Sequence, residues 1–145
     1  MKLSTKGRYG LKAMVDLATE YDSDGKLSIA QLSERQGISY SYLEQLISLL
    51  KKSHLVSASR GAAGGYKLAR PPEDITVGEV LKALEGSTAL VECVDTCGTD
   101  CENVCSCAAR PLWLKLQQRI DSVLESTTIR DMAIDYITQK ERNLD

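Results

Sequence analysis

SIAQLSERQGISYSYLEQLISLLKK, residues 28–52, reads as two short helices joined at a glycine. Ser28 and Gln31, three residues apart, form a capping-box pattern that starts the first helix. That helix runs to Gln36, and Gly37 is placed to stop it. The second helix begins near Ser39 to Ser41, where Ser41 and Glu44 make another capping-box pattern. Leu43, Leu46, Ile47 and Leu50 recur at helical spacing and predict a buried stripe. Tyr42, Gln45, Ser48 and Lys52 fall on the other face. Two helices around a tight turn with glycine are a helix-turn-helix signal.

The flanks extend this unit. Upstream, Leu11, Met14, Val15 and Ala18 follow the helical period and predict an amphipathic helix over about 4–21, closed by the loop DSDGK. Downstream, Leu55 to Ser59 is compatible with a strand. RGAAGG and then YKLA complete a hairpin with a glycine-rich tip. RPPED breaks the chain. TVGE caps a further helix bearing Val77, Val80, Leu81 and Leu84, which Gly86 ends. Pro111 fits the first position of a long helix, with Trp113, Leu116, Ile120, Val123 and Leu124 on one face. A last helix from about Thr128 carries Ile129, Met132, Ala133, Tyr136 and Ile137, and the polar tail after Lys140 is expected to fray. The fold class is mainly α with a small β-hairpin. Three helices and then a hairpin is the order of a winged helix, with the second of the two short helices as its reader and the hairpin as its wing. The chain divides into a winged helix-turn-helix unit at 1–86, a cysteine-rich loop at 87–108 and a helical pair at 109–145.

Length and charge narrow the class. A chain of 145 residues suits one ordinary domain, or a small domain with an appendage. No stretch approaches the roughly 18 apolar residues of a membrane span. The start MKLSTKGRYG does not look like a secretory signal, so the chain reads as cytoplasmic. The net charge of −2 is unevenly spread. Residues 1–70 carry 11 lysines and arginines against 6 acidic residues, a net of +5. Residues 71–145 carry 7 against 14, a net of −7. A basic half suggests a polyanionic partner.

A helix in the major groove of double-stranded DNA reads base edges from its N-terminal turns. The candidates are Ser39, Tyr40, Ser41, Tyr42, Glu44, Gln45 and Ser48. Gln45 suits an adenine edge. Glu44 can accept from cytosine, but a carboxylate near phosphates acts more by excluding wrong sequences than by attraction. Arg60, at the hairpin tip, suits the negative potential of a minor groove. Gly61, Gly64 and Gly65 let the backbone turn tightly there. Lys6, Arg8, Lys51 and Lys52 are candidates for phosphate contact. Enzyme chemistry finds no support: no histidine pairs with a nucleophile, and RGAAGG lacks the strand–loop–helix context of a nucleotide loop because Pro71 and Pro72 intervene.

All five cysteines lie in ECVDTCGTDCENVCSC, at Cys93, Cys97, Cys101, Cys105 and Cys107. The spacing by four at 93, 97, 101 and 105 would line one helix face, but Gly98 and its polar neighbours argue for a loop. Disulfides are rare in the cytosol, and an odd count excludes complete pairing within one chain. Zinc usually shows paired CxxC or a Cys/His mix, and neither occurs. The one histidine, His54, reads as a turn residue between the second helix and the hairpin. An iron–sulfur cluster is favoured over redox-switching thiols and over zinc.

The chain resembles the IscR family of bacterial iron–sulfur regulators, whose relatives include NsrR, RirA and CymR. The resemblance rests on LSTKGRYGLKAMVDLA at 3–18, SERQGISYSYLEQLISLLKKSHLVSASRGAAGGYKLAR at 33–70, ITVGEVLKALEG at 75–86 and RPLWLKLQQRI at 110–120. It implies a homodimeric transcriptional repressor that binds an operator, with a long dimerisation helix at about 110–126. It also implies a cluster held by three cysteines in the preceding loop: Cys107, Cys101, and Cys93 with Cys97 as its rival. The family's histidine ligand falls here on Arg110, which cannot ligate. Cys97 or Cys105 is then the candidate fourth ligand, and 2Fe–2S is favoured over 4Fe–4S. Cluster-assembly proteins enter as partners through the resemblance. CymR-like members lack the cluster and sense cysteine metabolism through a partner enzyme, so a cluster-free thiol switch of the same fold is the alternative.

Overall fold

The computed structural model describes residues 3–61, 64–91 and 108–144. In chain order α1 (Thr5–Tyr21), α2 (Ile29–Gln36) and α3 (Tyr40–Lys52) lead into strands β1 (Val56–Ser59) and β2 (Gly65–Leu68). A 3-10 turn at Pro72–Asp74 precedes α4 (Val77–Glu85), and α5 (Arg110–Ser126) and α6 (Ile129–Leu144) follow. The mainly helical class and the winged arrangement are those expected.

Local signals set several boundaries. Ser28 Oγ accepts from the Gln31 N–H at 3.1 Å while Gln31 Oε1 accepts from the Ser28 N–H at 2.8 Å, the reciprocal box that opens α2. Thr76 and Glu79 do the same for α4. Gly37 takes φ 67° and ψ 29°, the left-handed region that glycine enters without strain, and ends α2. The strands pair antiparallel, Val56 with Leu68 and Ser59 with Gly65. Leu27 adds a bridge to Tyr66, with N–H to O distances of 3.0 and 2.8 Å, so the segment before α2 forms a third rung of the wing.

One apolar core collects Met14 and Leu17 of α1, Leu32 of α2, Leu43, Leu46, Ile47 and Leu50 of α3, Leu68 of β2 and Val80 of α4. Each such side chain contributes about 1.5–3 kcal/mol by leaving water. Ile129 and Ala133 of α6 belong to the same core. The start of α6 is tied to α4 by two backbone bonds of 2.9 Å, Val77 N–H to Thr127 O and Ile129 N–H to Ile75 O. Arg130 of α6 bridges Asp22, at 2.8 Å, and Glu73, at 3.2 Å.

Four expectations are corrected. The cap of α3 is Ser39, whose Oγ accepts from the Tyr42 N–H at 3.2 Å. Ser41 lies inside the helix, because the Ser39 hydroxyl satisfies the Tyr42 N–H and the helix has already begun at Tyr40. Arg110 opens α5, and Pro111 stands second. The first four N–H groups of a helix have no internal partner, so proline is tolerated at either place. In α6, Ile137 is 43% exposed, because Ile129 and Ala133 take the inward face. The tail does not fray at Lys140, and α6 continues to Leu144.

The α1–α2 junction holds a buried carboxylate. Asp16 is 2% exposed and accepts a hydrogen bond from Gln36 Nε2. Burial raises its pKa above the ordinary 3.8, opposed in smaller part by the Gln36 bond and by Arg35. The folded chain therefore holds this proton more tightly than the unfolded chain. The group favours folding fully below its unfolded value and loses that contribution as pH rises through the raised one. Asp16→Asn is expected to raise the melting temperature by a few degrees at neutral pH, with the gain shrinking on acidification toward the ordinary carboxylate range. Thermal unfolding of both proteins across that range measures it, and a gain that grows on acidification would contradict the sign.

Candidate nucleic-acid interface

The outer face of α3 is open along its length. Tyr40 is 52% exposed, and Ser39, Ser41, Glu44, Gln45 and Ser48 are also exposed. The opposite face, Leu43, Leu46, Ile47 and Leu50, is sealed in the core. A helix fixed by one face presents the other in a set orientation, as groove reading needs.

Tyr42 sits differently from its neighbours. It is half-buried, its hydroxyl shares a 2.8 Å hydrogen bond with Thr5 Oγ1, and its ring meets Tyr9 edge-on at 6.4 Å. These contacts join the N-terminal turns of α1 and α3. With 100° per residue, Thr5 and Tyr9 form the stripe facing α3, and Lys6 and Arg8 fall on its two shoulders, both exposed. Lys51 and Lys52 are exposed at the far end of α3. His54 follows with φ 59° and its N–H on Lys51 O at 3.0 Å, in the turn role expected of it.

The wing ends in Arg60 and Gly61, both exposed. Gly61 has φ 103°, a conformation that favours glycine, and its carbonyl accepts from the Gly64 N–H at 2.9 Å. The described surface cations fall into paired and unpaired ones, and the unpaired ones extend beyond this face to Lys12, Lys26, Lys82, Lys115, Arg119, Lys140 and Arg142. Arg35, Lys67, Arg70 and Arg130 each pair with a carboxylate. Among the described residues, Lys6, Arg8, Lys51, Lys52 and Arg60 pair with none. An unpaired cation meets a phosphate without first breaking an ion pair.

The five cysteines lie outside the described residues, so Cys93, Cys97, Cys101, Cys105 and Cys107 have no geometry to report. The chain on either side of them does. Before the segment, Gln117 of α5 accepts from the Leu90 N–H at 2.6 Å and donates to Thr88 O at 3.2 Å and Asp121 Oδ1 at 2.8 Å. After it, the chain enters α5 at Arg110, whose Nε is buried without a partner among the described residues. The segment thus leaves and rejoins the fold on one helix. No group of three or more metal-binding side chains occurs among the described residues. The sequence of the cysteine segment offers five thiols together with the carboxylates of Glu92, Asp95, Asp100 and Glu102 as donors, and thiolates suit soft metals and iron–sulfur clusters.

Sequence reasoning missed Gln117, Thr5 and Tyr9. Gln117 left one signal, a polar residue between Trp113 and Ile120 on an apolar face. Thr5 and Tyr9 left none, since their partner stands more than thirty positions away.

A groove-sized helix fixed by its apolar face, a wing tipped by an arginine and a rim of unpaired cations define a winged helix-turn-helix DNA-binding protein. The family model described as "Rrf2: Iron-dependent Transcriptional regulator" matches residues 3–135. The chain belongs to this Rrf2 family of DNA-binding transcriptional regulators. It is 41% identical over 140 residues to an HTH-type transcriptional regulator IscR of Aliivibrio salmonicida, a match covering 97% of this chain and 82% of that one. The solved structure of CymR, the global cysteine regulator of B. subtilis, superposes with a TM-score of 0.78 at 41% identity, covering 92% of this chain and 96% of that one. The structure of T. potens IscR gives 0.75 at 42% identity, covering 94% and 88%. These relatives are named as regulators, and none of the three as an enzyme. No helix among the described residues is long and apolar enough to cross a membrane.

Proposed function

We propose that the protein is a homodimeric repressor whose operator binding responds to an iron–sulfur cluster, 2Fe–2S in preference to 4Fe–4S. The observation that carries the reading is the attachment of both ends of the cysteine-rich segment to α5. That helix bears the apolar stripe expected to pair two chains. Residues 1–86 read DNA, 87–108 sense, and 109–145 pair the two copies.

The chain's own residues do the following. Ser39, Tyr40, Ser41, Glu44 and Gln45 face base edges, with Tyr42 fixing the helix that carries them. Lys6, Arg8, Lys51 and Lys52 meet phosphates, and Arg60 with Gly61 enters the minor groove. Two reading helices meet half-sites one or more DNA turns apart, about 34–36 Å per turn. Cys93, Cys101 and Cys107 hold the cluster, with Cys97 or Cys105 as fourth thiolate. A bound cluster supplies cross-links among these thiolates that depend on iron and oxidation state. Gln117 keeps the segment's start on α5, so ordering of the segment bears on the helix that spaces the reading heads. Such a response requires that the ordered segment favour one spacing over another. Regulated genes of cluster assembly fit this chemistry. The IscR-named relatives support it, and the CymR relatives support the cluster-free cysteine regulator as the second reading.

The test is a DNA-binding selection on anaerobic protein with and without iron, followed by titration of the selected duplex. Different affinity or sequence preference in the two forms is expected; identical binding refutes the sensing role and leaves the DNA reading intact. In the same assay Arg60→Ala is expected to weaken binding by about ten-fold and lower the log–log salt slope by about one. An unchanged slope removes Arg60 from the groove.

A further inference from the structure

Glu85, the last residue of α4, places its carboxylate on the first turn of α1. Its Oε1 accepts from the Ser4 N–H at 3.0 Å, the Ser4 hydroxyl at 2.6 Å and the Gly7 N–H at 2.9 Å. Ser4 stands at the N-cap but makes no side-chain cap within its own helix. A residue some eighty positions away does the capping instead. Anionic acceptors are favoured at helix N-termini, where the unsatisfied N–H groups and the helix dipole are positive. Gly7 makes the approach possible: a Cβ there would lie 2.5 Å from Glu85 Oε1. The next turn repeats the arrangement, since a Cβ on Gly10 would lie 2.4 Å from Leu84 Cδ1.

The turn so held is the one that touches the reading helix. Thr5 bonds Tyr42 of α3, and Lys6 and Arg8 flank that contact without ion pairs among the described residues. On its other side, Glu85 is followed by Gly86 at φ 82° and then by Thr88 and Leu90, which Gln117 holds on α5. Glu85 therefore stands where the cationic shoulder of the reading unit meets the approach to the cysteine segment.

We infer that Glu85 is a positioning residue for DNA binding: it seats the first turn of α1 so that Lys6 and Arg8 meet phosphates beside α3. The inference rests on the DNA-facing role proposed for that turn and assigns its geometry to a residue that touches no DNA. A cap with only a structural role changes stability and leaves the number of phosphate contacts alone. The salt dependence of binding counts those contacts.

The experiment uses the full chain and a mixed-sequence duplex of about three helical turns, titrated by fluorescence anisotropy over a salt series. Glu85→Ala with a native circular dichroism spectrum is expected to lower the log–log salt slope by about one to two, with affinity at low salt falling on the order of ten-fold. Glu85→Gln, which keeps an acceptor oxygen, is expected to recover most of the slope. If Glu85→Ala does not fold, Gly7→Ala decides, because it displaces the carboxylate without removing it and should reproduce the loss. An unchanged slope in the folded deciding variant overturns the inference. A Lys6→Ala, Arg8→Ala double variant separates the two layers. If it leaves the slope intact, the DNA-facing reading of α1 fails. If it lowers the slope while the deciding Glu85 or Gly7 variant does not, Glu85 alone loses its role.

Discussion

Alanine at Cys101 or at Cys107 is expected to leave anaerobically reconstituted protein colourless, without the iron and acid-labile sulfide that the parent chain takes up. The donor set makes the effect large. The segment offers five thiols and no histidine, and the family's histidine position is Arg110, whose guanidinium does not ligate. A cluster takes four protein ligands, and iron–sulfur sites are built mainly from thiolate. With Cys93, Cys101 and Cys107 as the principal set, the four thiols left after losing either of the last two no longer include that set. Cys97 and Cys105 supply the contrast, because only one of them is needed as the fourth ligand. Replacing the other should leave colour unchanged. Visible absorption with iron and sulfide analysis reads all four variants. Colour that survives both Cys101→Ala and Cys107→Ala would sink the ligand assignment. A parent chain without iron under the same handling would favour the cluster-free cysteine regulator.

Val123→Glu is expected to convert the protein to monomer and to weaken operator binding on the order of a hundred-fold or more, since two linked half-site contacts become one. α5 has one side chain buried in this chain, Gln117. Leu112 is 52% exposed, Leu116 40% and Val123 62%, and helical geometry sets the three within one narrow stripe. An uncovered apolar stripe of this kind marks a protein interface, and the family expectation names a second copy as what covers it. Glutamate at its centre places a charge where the pair would exclude water. Because Val123 is exposed within the chain, the fold should survive, and circular dichroism checks that. Light scattering after size-exclusion chromatography gives the mass, and titration with the selected duplex gives the affinity. A Val123→Glu protein that stays dimeric shows that another surface joins the chains.

The readable parts of the fold were those written in short-range chemistry. Ser28 with Gln31 and Thr76 with Glu79 each span three residues, so both helix starts could be read directly. The same kind of signal misled at Ser41, because Ser39 offers an equivalent hydroxyl two residues earlier and nothing local chooses between them. In the fold Ser39 takes the cap, its hydroxyl on the N–H of Tyr42, whose side chain is held against Thr5 and Tyr9 of α1. Ile137 was misplaced for a related reason: α6 has apolar residues around much of its circumference, and only packing against α1 and the 3-10 turn selects Ile129 and Ala133. For the interface, the polar face of α3 and the glycine-rich wing tip were legible from residue type and order. The pairing of Tyr42 with Thr5 was not, and it separates Tyr42 from the exposed residues around it.

From its residues alone the chain declared the helix order, the wing, the basic first half and a segment whose thiols suit soft-metal chemistry. Each of these depends on neighbours within a turn or two, or on composition. Tertiary structure decided which cations remain without carboxylate partners, that Glu85 caps a helix 81 positions upstream at Ser4, and that Gln117 fastens the approach to the cysteines. It also left the stripe on α5 uncovered. Those outcomes follow from how the helices pack around one core, and no local period or capping pattern encodes the distance between side chains that the packing brings together.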